Sequence, residues 1–333
     1  MNVSEDIMIL AEEQPIRTVL RNEEWLLSGP PTDAAIKAWR DQPPLEVVHF
    51  SHQYRAEPLS LPRVLFEHDE MRVEWQTMDS RQPFLHRNCD VDEMSYQIAG
   101  DRTLMTELGV VELRPGDFVR IPRGVAHDNF GRTETHLLFY TPAPVQELVP
   151  PARSSERVFP PYPGYQPREN AVELVTQCLA TMGHDVVAFP ADDRDMLNQV
   201  EHEEARVRVL QADPSPGTTW VYGTEKMRVG MVTAPVGRGR RYRRILDADE
   251  VQYQVEGQRT LLTQRGIVEL GPGDYIRIPL GISQASIPHE PSRHISLLSR
   301  RELRQVATAS RSAEWFDHQR LAALTGEIMD VAR

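Results

Sequence analysis

Two segments of this sequence repeat one another, and the repeat constrains the fold more than any other feature does. Residues 93–126 and 250–283 align without a gap at an offset of 157, and 19 of the 34 aligned positions are identical. A self-match this strong at a fixed offset indicates that one structural unit was duplicated. The 333 residues are also enough for two domains of ordinary size.

Each repeat has the pattern of short β-strands separated by turns. Residues 110–113 and 118–121 are brief runs rich in β-branched or aromatic residues. Gly100, the Pro115-Gly116 pair and residues 122–124 punctuate these runs, as glycine and proline do at turns. Short strands at close spacing predict a β-sandwich or a barrel. We therefore expect an all-β chain with a few flanking helices.

The repeat and the proline-rich stretch near residue 150 suggest domain boundaries. We predict an N-terminal extension with the first strands over residues 1–60, a first barrel over 61–145, a linker with a helix over 146–205, a second barrel over 206–300 and a C-terminal helix over 301–333. Helical patterns are read at residues 32–39, 169–182 and 313–331.

The first repeat carries two histidines and a glutamate with the chemistry of a metal site. His86 precedes Glu93 by seven residues, and His127 follows the turn at residues 122–124. Alternate residues of barrel strands point inward, so side chains from neighbouring strands can converge on one ion. Two imidazoles and one carboxylate on one face form the ligand set associated with non-haem Fe(II) oxygenases.

The spacing around these residues resembles the two sequence motifs of the cupin superfamily. Residues 116–127 resemble the second motif, G-x5-P-x-G-x2-H, and residues 86–100 resemble the first. Asn88 stands where the first motif usually has a second histidine, which leaves three ligands rather than four. The resemblance implies two tandem cupin barrels, of the double-stranded β-helix or jelly-roll type, with a metal in the first.

Residues 86–89, His-Arg-Asn-Cys, are also similar to the metal-binding stretch of homogentisate 1,2-dioxygenases. That resemblance implies that His86, Glu93 and His127 hold Fe(II) and that the protein opens an aromatic ring with O₂. The gap from His86 to Glu93 is one residue longer here, so Asp92 is a rival carboxylate. Mn, Ni and Zn are alternatives to Fe(II), because ligand type narrows the choice of ion without fixing it.

The second repeat lacks this ligand set. Arg243 aligns with His86 and Gln284 with His127, whereas Glu250 matches Glu93. Arginine keeps its proton and cannot bind a metal. We therefore predict a metal-free second barrel with an Arg243–Glu250 ion pair in the ligand positions.

Several other residues lie next to the predicted ligands. Asn129, Arg87 and Tyr96 are candidates for orienting a substrate or a ligand. Arg87 and Tyr96 recur in the second repeat, which favours a structural role as the alternative. Arg120 also recurs, as Arg277, and we expect a salt bridge common to both barrels.

Composition limits the partners. The net charge of −12 disfavours nucleic acid, no apolar run reaches the roughly 18 residues needed to cross a membrane, and the acidic start of the chain lacks the basic region of a secretory signal. The two cysteines favour a reducing, cytoplasmic setting. We expect a small-molecule substrate and O₂ as partners, and self-association stays open.

Three functions are compatible with these observations. The first is an Fe(II)-dependent, ring-cleaving dioxygenase acting on a small aromatic substrate such as homogentisate, gentisate or a catechol. The second is another metal-dependent reaction, namely isomerase, lyase or hydrolase chemistry with Mn, Ni or Zn. The third is a two-barrel protein that binds a small molecule without turning it over.

Overall fold

A computed structural model describes residues 2–28, 42–50, 61–179, 184–237 and 240–325, and within these residues the chain is mostly β. The helices are short: α1 (Glu23–Ser28), α2 (Asp193–Asn198), α3 (His318–Thr325) and a 3₁₀ helix at Gln199–His202. None of the helices in the described ranges has the length and apolar character that crossing a membrane requires.

The strands fall into two barrels and the segments around them. The first barrel contains β4 (Arg63–His68), β5 (Met71–Met78), β6 (Leu85–Asn88), β7 (Val91–Thr106), β8 (Gly109–Leu113), β9 (Phe118–Ile121) and β10 (Ala126–Pro142). The second barrel contains β16 (Gly217–Gly223), β17 (Met227–Ala234), β18 (Arg241–Ile245), β19 (Asp249–Glu256), β20 (Arg259–Thr263), β21 (Gly266–Leu270), β22 (Asp274–Ile278), β23 (Ser283–Pro288) and β24 (Ser292–Ser299). The remaining strands are β1 (Asn2–Met8), β2 (Arg17–Asn22), β3 (Glu46–His49), β11 (Gln146–Glu147), β12 (Arg153–Ser154), β13 (Ala171–Gln177), β14 (His184–Ala191), β15 (Arg208–Leu210), β25 (Arg304–Gln305) and β26 (Arg311–Ser312).

The two barrels correspond strand for strand, which confirms the all-β repeat that the sequence predicts. Long strands β7 and β10 of the first barrel match the pairs β19–β20 and β23–β24 of the second. Gly100 and Gly257 take φ angles of 65° and 71° at the same turn. A Cβ at Gly100 would lie 2.4 Å from the Thr133 carbonyl oxygen, and one at Gly257 would lie 2.3 Å from that of Pro291. Glycine is required there both for its conformation and for space.

Each barrel is completed by strands from the other half of the chain. We call residues 2–28 and 46–49 the first arm, and residues 171–179, 184–198 and 208–210 the second arm. In the first arm, β1 pairs in parallel with β18 and β3 pairs with β22, so this arm covers the second barrel. In the second arm, β13 pairs in parallel with β6 and β15 pairs with β9, so it covers the first barrel. Each arm therefore pairs with the barrel formed by the other half of the chain.

A shared apolar core joins the barrels. Tyr96 and Phe118 of the first barrel and Tyr222 and Tyr253 of the second are buried in one cluster. Successive side chains of a strand point to opposite faces. Met94 and Tyr96 therefore face this core, whereas Glu93 faces the barrel interior. The site therefore sits inside a barrel whose outer face is buried against its neighbour.

The three helices predicted from the sequence have different outcomes. The helix predicted over residues 169–182 is wrong, because residues 171–177 form strand β13. The run AVELVTQ is rich in β-branched residues, and its pairing with β6 and β14 overrides a marginal helical pattern. The closing helix is found as α3 (His318–Thr325), shorter than predicted within the described residues. The helix predicted over 32–39 lies outside the described residues.

Candidate metal centre

His86, Glu93 and His127 converge in the interior of the first barrel. Their strands are neighbours: β10 pairs with both β6 and β7, and His127 lies opposite His86 in the β6–β10 register. A ligand atom from each of the three residues lies within 4.8 Å of the others. It is the one such group of three among the residues that the structure describes.

The donor atoms surround a gap rather than bonding to each other. Glu93 Oε2 is 3.9 Å from His86 Nδ1 and 3.7 Å from His127 Nε2, and both separations exceed a hydrogen bond. Two donors that touch one ion at about 2.1 Å can be at most about 4.2 Å apart, so both pairs already satisfy this limit. Each imidazole is therefore close enough to Glu93 to share one divalent cation with it.

Burial keeps His127 in the form that a metal requires. Its ring is 1% exposed, and desolvation lowers its pKa to about 4. The imidazole is therefore neutral at neutral pH, with a lone pair on Nε2 facing Glu93. Nδ1 lies 3.4 Å from the backbone carbonyl of Val125, a contact that favours the tautomer with Nε2 free.

Asn88 supports Glu93 from the position where a second histidine was expected by resemblance. Its Nδ2 donates to Glu93 Oε2 at 2.8 Å, and its Oδ1 accepts from the thiol of Cys178 at 2.8 Å. Both partners are buried, so these bonds fix the orientation of the carboxylate. Asn88 therefore positions a candidate ligand.

Asp92, the rival carboxylate, has a structural role instead. It accepts hydrogen bonds from Arg120 at 3.1 Å and from the backbone N–H groups of Arg123 and Val145. Asp249 repeats this pattern in the second barrel with Arg277 and the N–H groups of Leu280 and Leu303. The salt bridge predicted for Arg120 and Arg277 is thus present in both barrels.

The metal centre opens into a cavity of about 390 Å³ inside the first barrel. Phe84, Leu138 and Leu174 give it an apolar wall. The polar lining, besides the three ligands, consists of Arg72, Glu74, Gln76, Gln82, Asn129, His136, Tyr140, Thr176 and Cys178. A small organic molecule therefore has room beside the three donors.

Of the other predicted site residues, only Asn129 lines this cavity. Its Nδ2 donates to Gln82 Oε1 at 3.2 Å, and its Oδ1 has no hydrogen-bond partner within the described part of the chain. Arg87 does not line the cavity, because its guanidinium binds Glu173 at 2.6 Å and Glu107 at 2.7 Å. Tyr96 points the opposite way from Glu93 and packs on Phe118 in the shared core, with ring centroids 4.7 Å apart.

Glu74 is a cavity residue that the sequence interpretation missed. It is 3% exposed, and burial raises its pKa to about 7 although Arg72 lies 3.8 Å away. The signal was present in β5, where Arg72, Glu74 and Gln76 alternate with Val73 and Trp75. Polar residues at every second position of a buried strand indicate an inward-facing polar row.

His136 is a second cavity residue that was assigned no role in the site. It is fully buried, and its Nδ1 lies 2.9 Å from Glu134 Oε2. Gln97 donates to the same oxygen at 2.8 Å. No spacing motif links His136 to the three ligands, so only the alternation of β10 pointed to it.

In the second barrel, hydrogen-bonded side chains fill the position that corresponds to the metal centre, and the predicted Arg243–Glu250 ion pair is present. Arg243 Nη2 and Gln284 Nε2 both donate to Glu250, and Ser296 Oγ donates to it at 2.6 Å. These bonds occupy both carboxylate oxygens. Glu250 is therefore part of a closed hydrogen-bond network, whereas Glu93 faces a gap of atomic size.

Comparisons with known proteins find remote structural similarity alone. No protein-family model matches the chain, and no curated protein matches its sequence. Similar solved structures include a cupin 2 conserved barrel domain protein from Leptotrichia buccalis, with 9% identity over 74% of this chain and 92% of that chain and a TM-score of 0.45. A variant of oxalate decarboxylase from Bacillus subtilis, altered at one tryptophan, has 15% identity over 79% of both chains, with a TM-score of 0.46. A second variant of that enzyme, altered at one serine, has 14% identity over 79% of both chains, with a TM-score of 0.45.

Fold and site together define a class of protein. The chain is an all-β protein of two matching barrels with a candidate metal centre in its first barrel. At identities of 9–15% and TM-scores of 0.45–0.46, the likeness to solved structures transfers no metal, substrate or reaction to it.

Proposed function

We propose that this protein is an Fe(II)-dependent dioxygenase that acts on a small hydroxylated aromatic substrate such as homogentisate, gentisate or a catechol. The observation that carries the proposal is the gap between two imidazoles and one carboxylate, which opens directly into a cavity of about 390 Å³. This ligand set leaves positions free on an ion, as O₂ and an organic substrate require. Bound Fe(II) would bring both reactants together and lower the pKa of a substrate hydroxyl.

The cavity walls suit an aromatic ring. Phe84 approaches His86 edge-on, with ring centroids 6.4 Å apart, so an apolar surface borders the metal centre. Leu138 and Leu174 extend this wall along the cavity. A ring held against these side chains would exclude water from the reacting atoms.

Polar groups in the cavity suit the hydroxyl and carboxylate groups of such a substrate. The buried Oδ1 of Asn129 lacks a partner among the described residues and can accept a hydrogen bond from a hydroxyl. Arg72 Nε also lacks a hydrogen bond there, although Glu67 and Glu74 lie 3.5 and 3.8 Å from it, so a substrate carboxylate would share this guanidinium with them. Both residues line the cavity that contains the metal ligands.

Oxygen uptake tests the proposal. The full chain is purified without O₂, loaded with Fe(II), and supplied with homogentisate, gentisate and catechols while O₂ is recorded. We expect consumption of O₂ with at least one of them, and its loss in His86→Ala. Cys89→Ala is the matched control, because Cys89 is exposed and lies three residues along the chain. Full O₂ uptake by His86→Ala would contradict the proposal.

Glu74 favours a second candidate, an isomerase, lyase or hydrolase that uses Mn, Ni or Zn. A buried carboxyl group in the cavity with a pKa near 7 can both donate and accept a proton at neutral pH. Turnover without O₂ that is lost in Glu74→Gln would support this candidate over the dioxygenase. Turnover that needs O₂ and survives in Glu74→Gln would exclude it.

A further inference from the structure

The second barrel has a cavity at the position that the metal centre occupies in the first. Its volume is about 340 Å³. Arg243 and Gln284, the counterparts of His86 and His127, both line it. Glu250 is held by these two side chains and by Ser296, so the cavity cannot use its carboxylate as a metal ligand.

Buried positive charge exceeds buried negative charge around this cavity. Arg259 is 1% exposed, and it donates only to uncharged oxygens: Gln254 Oε1 and Gln252 Oε1 at 2.6 Å, and Ser286 Oγ at 2.7 Å. Arg243 is neutralised by Glu250, and Arg241 at the rim is neutralised by Asp6. Arg259 therefore has no carboxylate partner among the described residues, an arrangement that is costly unless an anion compensates it.

His294 provides an independent observation. It lines the cavity, it is 4% exposed, and neither ring nitrogen has a hydrogen-bond partner among the residues described. The charged groups that act on it are Arg259 and Arg243. A buried imidazole that can donate one hydrogen bond and makes none is unusual and indicates a missing acceptor.

The first barrel shows what is missing. His136 occupies the position of His294, because each pairs with the matching glutamine, Gln97 or Gln254. In the first barrel His136 contacts the carboxylate of Glu134, whereas the second barrel has Ser292 at that place. The second barrel has thus replaced a built-in carboxylate by a small side chain that leaves open space.

We propose that the second barrel binds a small organic acid, with its carboxylate between Arg259, Arg243 and His294. The carboxylate supplies the negative charge and the hydrogen-bond acceptors that this cavity lacks. Val232, Ala234, Ala285 and Pro288 line the rest of the cavity and suit an apolar body on the ligand. The proposal stands whichever metal or reaction belongs to the first barrel.

Thermal unfolding of the full chain with benzoate as the probe tests this site. Benzoate should raise Tm in a saturable manner, because a ligand that binds only the folded state stabilises it. Benzamide, a neutral molecule of nearly the same shape, should not raise Tm. Sulfate serves as an inorganic anion for comparison. A response to sulfate without one to benzoate would contradict the organic acid, as would equal responses to benzoate and benzamide.

Variants locate the binding. Ser292→Glu restores the carboxylate found in the first barrel and should weaken benzoate binding at least tenfold. Ser215→Glu adds the same charge at an exposed turn and should bind like the wild type. If Ser292→Glu does not fold, the NMR signal of the His294 ring, identified by its loss in His294→Gln, replaces it as the readout. An unmoved His294 signal on saturation with benzoate, or unchanged affinity in Ser292→Glu, would overturn the proposal.

Discussion

At the scale of single residues, the surroundings of one glutamate distinguish the two barrel interiors. Glu93 and Glu250 occupy matching positions, yet Glu93 faces two imidazoles across gaps of 3.7 and 3.9 Å, whereas Glu250 is closed by direct hydrogen bonds. A glutamate at this position is therefore compatible with either role. Its neighbours decide whether it forms part of a metal centre or of an ion pair.

Asn88 should set the metal affinity through its bond to Glu93. Asn88→Ala removes the donor that orients the carboxylate, so we expect metal to bind about 10–100-fold more weakly. Titration of the metal-free protein with Zn²⁺ against a competing chelator measures this change. Cys89→Ala provides the control, and an unchanged affinity in Asn88→Ala would exclude the positioning role.

Glu74 should make the stability of the metal-free protein depend on pH. Its pKa of about 7 when folded lies above the ordinary 4.5, so the folded state holds the proton more tightly than the unfolded state. The resulting stabilisation is complete below about pH 4.5 and is lost as pH rises through 7. The free energy of unfolding of Glu74→Gln, measured in urea, should rise relative to that of the wild type by up to about 3 kcal/mol between pH 5 and pH 8. Parallel stability curves for the two proteins would refute this.

At the scale of elements, strand β13 determines how enclosed the metal centre is. It pairs with β6 beside His86, and its residues Leu174 and Thr176 line the cavity. Arg87 of β6 donates a hydrogen bond to Glu173 of β13. Arg244 of β18 does the same to Glu5 of β1 in the second barrel. Arg87 therefore acts on the site through the strand that covers it.

Glu173→Gln should loosen this strand. It weakens a largely buried, charged hydrogen bond, and we expect a loss of about 1–2 kcal/mol together with faster hydrogen exchange over residues 171–177. Glu112→Gln is the control, because Glu112 and its partner Arg132 are both more than one-third exposed and contribute little. Equal exchange in the two variants would show that the Arg87 pair does not hold the strand.

The sequence predicts some elements well and others poorly, for physical reasons. The candidate ligands lie in or beside the segment where the repeat is strongest, so donor type and the resemblance to two short motifs are sufficient to select them. Tyr96 was misplaced because the direction of a side chain depends on strand register. Strand β13 was misread because parallel pairing with a distant strand leaves no local pattern, and the exchanged arms were missed for the same reason.

At the scale of the whole molecule, exchanged arms and a shared core tie the barrels together. Each barrel takes its covering strands from the other half of the chain, and the apolar cluster that includes Tyr96 and Tyr253 spans both. Neither barrel therefore has a complete set of strands within its own half. Folding of the two barrels should be a single cooperative event.

Splitting the chain tests this arrangement. Residues 1–158 and 159–333, produced separately, should each lack a cooperative unfolding transition, because each lacks the arm that covers its barrel. Mixed or produced together, they should form a 1:1 complex with the far-UV circular dichroism of the intact chain. A cooperative transition in isolated residues 1–158 would contradict the structural importance of the second arm.

The metal content of the intact chain tests the central claim most directly. After anaerobic loading with Fe(II) and removal of free metal, elemental analysis should find one ion per chain in the wild type and in Glu250→Gln. It should find none in His127→Ala, whose folding is checked by circular dichroism. One ion retained by folded His127→Ala would show that the metal is not held by His86, Glu93 and His127, and two ions per wild-type chain would contradict a single metal centre.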